Sequence, residues 1–298
     1  MDIVEGLRKL DCGKVIANPS MKNYTTFKVG GEALAMIYPA NVEQLKKIIL
    51  FLRENGVSYK VLGNGSNVIF RESGYSGVII KLDLFQYLEI NGNVVKVGAG
   101  YSLVKLSMKT ARLGLTGLEF AAGIPATIGG AIFMNAGAYK SDMGYVVHSV
   151  TVLTPELEVK TLSNKEMDFH YRSSFLQKNP DYICLGVTLH LIYGKRELIL
   201  DVIKDRKRRR LESQPLEYPS AGSVFRNPSN DYAGRIIEAI GYKGKRLGGA
   251  MVSDKHANFI INVLNATGDE VIDLILEIQK KIKEEIGIEL KIEQEFVE

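Results

Sequence analysis

Apolar and polar positions recur along this chain with two periods, and the periods divide it into elements. Residues 42–55 (VEQLKKIILFLREN) place apolar side chains three and four apart, which predicts an amphipathic helix with Asn41 as N-cap and Gly56 as its stop. Residues 101–113 predict a second helix closed by Gly114, 196–212 a third and 233–240 a short fourth. The strongest helical pattern covers 267–286, where Thr267 and Glu270 form a capping box and Gly287 ends the run. Strand patterns cover 57–62, 77–82, 94–97, 146–153, 159–162, 184–192, 258–263 and 288–296. In 184–192, Leu185, Val187, Leu189 and Leu191 share one face, with Thr188 and His190 opposite. In 288–296, Ile288, Leu290 and Ile292 oppose Glu289, Lys291, Glu293 and Glu295. Strands and helices mix without strict β-α-β alternation, which predicts an α+β fold.

Composition adds size and class. The chain has 298 residues, 46% hydrophobic and 24% charged, as expected of a folded protein with two or three domains. The segment SQPLEYPSAGS (213–223) is rich in turn formers and marks a boundary zone. Cys12 and Cys184 form no CxxC, which excludes a disulfide framework and a cysteine-built zinc site and predicts two buried, reduced thiols in a cytoplasmic protein. The four histidines show no i, i+4 pair, so no metal site is expected. The N-terminus mixes charges of both signs and has no apolar run, so no signal peptide is predicted. The longest uncharged stretch, 120–139, holds four glycines, Pro125, Thr127 and Asn135. That composition predicts a buried, loop-rich segment rather than a membrane span.

The net charge is only +4, but its location is informative. KDRKRRR (204–210) carries six basic residues and one acidic, so the rest of the chain is close to neutral. On a helix, Arg206 and Arg210 share one face and Lys204 and Arg208 another, with Leu198, Leu200, Val202, Ile203 and Leu211 as apolar positions. Three readings stay open: a solvated charged helix, a site for an anionic small molecule, or a nucleic-acid patch. The last is weakened because no basic cluster with interleaved aromatics occurs elsewhere.

Three segments carry candidate chemistry. In VLGNGSNVIF (61–70) an apolar strand runs into Gly63, Asn64, Gly65, Ser66 and Asn67. Two glycines leave backbone N–H groups unhindered, the makings of an anion nest, although the motif is neither GxGxxG nor a Walker A loop. In GLEFAAGIPATIGGAIFMNAGAY (117–139) small residues allow main chain to approach a flat ligand closely; tight helix–sheet packing is the alternative. In PSAGSVFRNP (219–228) Ser223 lies in no GxSxG elbow and has no histidine nearby in sequence. It is a poor nucleophile candidate but can donate a proton through its hydroxyl.

NYTTFKVGG (23–31), the three segments above, HYRSSF (170–175) and IELKIEQEF (288–296) occur in the order found in the UDP-N-acetylenolpyruvoylglucosamine reductases. The chain resembles that family from about residue 20 to 297, in its short form without the extra tyrosine-bearing loop. The resemblance implies a two-part FAD-binding domain of vanillyl-alcohol-oxidase type (1–83 and 84–200) and a C-terminal α+β substrate-binding domain (201–298). It implies non-covalent FAD, with Gly63, Asn64, Gly65, Ser66 and Asn67 on the diphosphate and Gly123, Ile124, Gly129, Gly130, Asn135 and Gly137 along the flavin. NADPH would reduce the flavin, and hydride would pass to the enolpyruvyl group of a UDP-sugar.

The resemblance also implies roles at the reacting centre. Arg172 would pair with the substrate carboxylate, Ser223 would deliver the proton, and Glu293 would sit beside the enolate, protonated or through hydrogen bonding. Asn227, Lys243 and His256 would contact the sugar nucleotide. A monomer without metal, membrane or nucleic-acid partner is expected. The alternatives are a related FAD oxidase of the same fold, or a nucleic-acid-binding protein using the 204–210 helix.

Overall fold

The computed structural model describes residues 2–298. The chain folds into two compact units, one of residues 1–15, 36–63 and 79–209, the other of 16–35, 64–78 and 210–298. No helix among the described residues is long and apolar enough to cross a membrane.

The first unit is built on a five-stranded antiparallel sheet in the order Val159–Ser163, Val147–Leu153, Ile183–His190, Val94–Gly98, Leu88–Asn91. Its central strand buries Leu185, Val187 and Leu189 on the predicted face, with His190 exposed opposite. Cys184 and Gly186 are buried as well, because this strand is covered on both faces where it begins. Cys12 and Cys184 are both buried thiols, and burial pushes the Cys184 thiol up to about 12. The helix Val42–Glu54 is capped by Asn41, whose side chain accepts from the Gln44 N–H, and it buries Leu45, Ile48, Ile49 and Leu52.

Two expectations change in this unit. The stretch expected to be loop-rich contains a helix, Ile128–Phe133 (IGGAIF), despite two glycines of poor helical propensity. Thr127 caps it through the Gly130 N–H at 3.3 Å, and tertiary burial of Ile128, Ala131 and Ile132 overrides propensity. The basic helix Arg196–Ser213 forms where predicted but buries Ile199 and Ile203, while Leu198 and Leu211 are 61% and 52% exposed. Its charges are tied locally: Arg208 and Arg209 both pair with Asp205, and the Arg206 guanidinium stacks 4.8 Å from the Tyr139 ring centre.

The second unit is held by the long helix Gly268–Ile286. Thr267 and Glu270 make the predicted capping box, and Gly287 terminates the helix at φ +76°. Its buried face (Val271, Ile272, Ile275, Ile278, Ile282) packs with Phe27, Val29, Ile69, Val224, Phe225 and Leu290. A three-stranded antiparallel sheet (Arg246–Leu247, Ala250–Val252, Ile260–Asn262) stands beside it. The expected final strand 288–296 is corrected: only Glu295–Val297 is strand, pairing in parallel with Val68–Phe70. Residues before it make a single bridge, Ile292 with Phe225. The predicted alternation also breaks at Glu293, which is half-buried while Glu289 and Glu295 are exposed.

Candidate active site

In the second unit, four of the sequence segments are joined by hydrogen bonds. Gly65 has φ +63°, and a Cβ there would collide with the Tyr24 carbonyl oxygen and lie 2.8 Å from the Thr25 Cα. Glycine is therefore the residue this approach requires. The Thr26 N–H donates to the Gly65 carbonyl at 3.1 Å, and the Thr26 hydroxyl donates to the Ser220 carbonyl at 2.7 Å. The backbone N–H groups of Gly65 and Ser66 have no hydrogen-bond partner among the described residues. Adjacent N–H groups left open on a glycine turn are donors of the kind a diphosphate takes, and in that respect the turn fits FAD.

Ser223 lies on a segment fixed along both edges. On one edge the Val224 N–H donates to the Asn258 carbonyl at 2.9 Å, and the Asn258 side chain closes both hydrogen bonds with the Phe225 main chain at 2.8 and 2.9 Å. On the other edge the Glu293 N–H donates to the Val224 carbonyl, and the Arg226 N–H to the Lys291 carbonyl, each at 2.8 Å. Gln294 is buried, and its Nε2 donates to the Ala221 carbonyl at 3.1 Å. Asn67 donates through Nδ2 to the Glu293 carbonyl at 3.0 Å and accepts the Glu295 N–H at 2.9 Å. Ser223 and Glu293, seventy positions apart, are thus brought together, with the glycine turn alongside. Both side chains are half-buried.

The expected sugar-nucleotide residues also lie in this unit. The Asn227 Oδ1 accepts the Ala233 N–H at 3.0 Å and so serves the start of the helix Ala233–Ala239. Lys243 pairs with Glu238 at 2.7 Å. His256 packs edge-on against Phe259, and its Nδ1 accepts the Asn258 N–H at 3.2 Å, which leaves the neutral ring's proton on Nε2. Burial lowers the His256 pKa, and the Lys243 charge lowers it further.

The first unit gathers the remaining expected residues. A Cβ on Gly63 would lie 2.6 Å from the Thr127 hydroxyl, so the start of the glycine turn rests on the cap of the Ile128–Phe133 helix. Gly129 is packed against Ala99, and its N–H is spent on the Ala99 carbonyl at 2.8 Å. Gly123 is exposed, and Ile124 and Gly130 are half-buried. Gly137 accepts through its carbonyl from the Arg172 guanidinium at 3.0 Å, and the same guanidinium lies 5.2 Å from the Tyr171 ring centre. Asn135 is buried, with φ +42°, and both ends of its amide are bonded within the fold.

Lys81 was not singled out by sequence. It is 5% exposed, donates to the Gly63 carbonyl and lies 3.3 Å from Asp83. Burial lowers its pKa. The signal available was a lysine near the end of the apolar run GVIIKL, where a charge falls among residues otherwise suited to burial.

Residues 33–163 match the FAD binding domain family, and residues 214–297 match the UDP-N-acetylenolpyruvoylglucosamine reductase C-terminal domain. The UDP-N-acetylenolpyruvoylglucosamine reductase of Bacillus licheniformis is 42% identical over 99% of this chain and 98% of its own length. That of Halalkalibacterium halodurans is 43% identical over the same shares. The crystal structure of the Thermus caldophilus reductase superimposes with a TM-score of 0.81 at 36% identity, covering 96% of this chain and 98% of that one. At 14% identity, the glucose dehydrogenase Phl p 4.0202 shares the fold over 66% of this chain and 45% of its own, with a TM-score of 0.50. With full-length identity above two-fifths and both constituent domains in place, the chain belongs to the UDP-N-acetylenolpyruvoylglucosamine reductase family.

Proposed function

We propose that this chain reduces the enolpyruvyl double bond of UDP-N-acetylglucosamine enolpyruvate to give UDP-N-acetylmuramate, a step of peptidoglycan synthesis, in the cytoplasm, as a monomer and with NADPH as reductant. By the ligand each serves, residues 1–83 and 84–200 form the FAD side and 201–298 the sugar-nucleotide side. FAD, when bound, supplies the hydride that reaches the terminal enolpyruvyl carbon. The negative charge left on the neighbouring carbon spreads into its carboxylate. Arg172 binds that carboxylate, for which a planar guanidinium is matched in shape and charge. Ser223 delivers its hydroxyl proton to the carbanionic carbon, and Glu293 stabilises the enolate beside it. Asn227, Lys243 and His256 hold the sugar nucleotide.

The observation that supports this best is the 2.8 Å hydrogen bond from the Glu293 N–H to the Val224 carbonyl. It joins the main chain at Glu293 to the residue that follows Ser223, which supports a shared site for the proposed enolate stabiliser and proton donor. The test is an absorbance spectrum of the purified protein, then anaerobic NADPH, then the enolpyruvyl sugar nucleotide. Flavin bands that bleach and return only with the sugar nucleotide support the reading. Reoxidation by oxygen alone, with the sugar nucleotide ignored, would mean an oxidase instead. In Ser223→Ala, bleaching by NADPH should survive while reoxidation by the sugar nucleotide slows about 10²–10⁴-fold. Unchanged reoxidation would remove Ser223 from the reaction.

A further inference from the structure

Arg172 is presented by a tight turn in an unusual conformation. His170 and Ser173 exchange both backbone hydrogen bonds, at 3.0 and 3.1 Å, so Tyr171 and Arg172 form the tip. Arg172 has φ +53°, a left-handed position that such turns ordinarily give to glycine or asparagine. An arginine persists there only if its surroundings over-determine the geometry.

Those surroundings come from the end of the Ile128–Phe133 helix. Its last carbonyls have no partner within the helix. The Phe133 carbonyl accepts from the Ser174 hydroxyl at 2.7 Å and from the Gln177 Nε2 at 3.0 Å. The same Gln177 nitrogen is 3.2 Å from the Arg172 carbonyl. Asn135, two residues past the helix, donates through Nδ2 to the His170 carbonyl at 2.8 Å and accepts the Gly144 N–H at 2.9 Å. The turn is therefore held by both carbonyls that flank Tyr171 and Arg172.

We infer that Gln177 and Asn135 are positioning residues for Arg172, holding its turn so that the guanidinium meets the substrate carboxylate in one orientation. The inference rests on the role proposed for Arg172 above. It gives Asn135 a different task from the cofactor contact expected from sequence.

The test uses the holoprotein and reads the two half-reactions separately. Gln177→Leu should retain flavin and bleach with NADPH at a rate within about twofold of the parent. Its reoxidation by the enolpyruvyl sugar nucleotide should slow about 10- to 100-fold, the scale of a small misplacement of a binding group. In an Arg172→Lys background the same change should cost no more than about twofold further, because Gln177 acts through Arg172. Asn135→Asp removes the donor to His170 with little change of shape and should slow the same step; if it does not fold, Gln177→Leu decides alone. Wild-type reoxidation in Gln177→Leu, or a loss that multiplies fully with that of Arg172→Lys, would overturn the inference. If Arg172→Lys itself leaves reoxidation unchanged, the role of Arg172 fails first and the positioning role with it.

Discussion

At Gly65 one missing methylene sets where a main chain can go. A Cβ there would strike the Tyr24 carbonyl and the Thr25 Cα, and its φ of +63° suits glycine. Gly65→Ala combines a left-handed alanine, costing about 1–3 kcal/mol, with a collision against backbone that cannot rotate away. The expected outcome is a lower Tm and loss of flavin on gel filtration; retention of both at wild-type level would show that the turn can shift. The glycine motif was legible in sequence, because repeated glycines after an apolar strand are a chemical signal. Its partner Tyr24 was not, since that approach joins residues forty-one positions apart. The same limit applies to Glu293. Periodicity assigned it to a uniformly solvated face with Glu289 and Glu295, and only the pairing with Val224 separates it from them.

Among the elements, those with strong local signals match their expectations. The helix Gly268–Ile286 carries a capping box, an apolar stripe and a terminal glycine, and all three appear. Thr267→Ala should lower stability by about 1 kcal/mol, read as a small drop in Tm with flavin content unchanged. A drop of several times that size would mean Thr267 does more than cap. The helix Ile128–Phe133 escaped prediction because six residues with two glycines lack periodicity; it is made by Thr127 at one end and burial along its length. The final strand was overextended for the opposite reason. Residues 288–292 have strand periodicity, but beyond the bridge at Ile292 this stretch has no ladder partner among the described residues.

For the whole molecule, the titrating groups predict how stability follows pH. Lys178 beside Asp168, Arg208 beside Asp205 and Arg71 beside Asp269 hold those carboxyls below their usual range, and Arg235 takes Asp231 to about 2. Depressed carboxyls contribute stability above their unfolded values, and it is lost as pH falls through the folded ones. His256 has the same sign: its pKa is lowered by burial, so its contribution is present above about 6.5 and lost on acidification. Burial raises the Cys184 thiol and Tyr242 phenol to about 12, so their contributions fade at alkaline pH. Lys81, lowered by burial, opposes that alkaline loss. Tm should therefore plateau near neutral pH, and His256→Gln should flatten its decline between pH 7 and 5. A Tm that rises over that interval would contradict the assignment.

The way the chain threads the second unit limits how the protein can be dissected. The C-terminal stretch matched as a family domain, 214–297, looks from sequence like a module that a gene could gain or lose whole. Yet three fully buried members of its core, Phe27, Val29 and Ile69, are supplied by residues far upstream, and its final strand is completed by Val68–Phe70. Expressed alone, residues 210–298 would expose the sockets of those side chains and an unpaired strand edge. Such a fragment should bind hydrophobic dyes and melt without a cooperative transition. Heredity can treat the two halves of this sequence as separate words, but folding reads them only as one sentence.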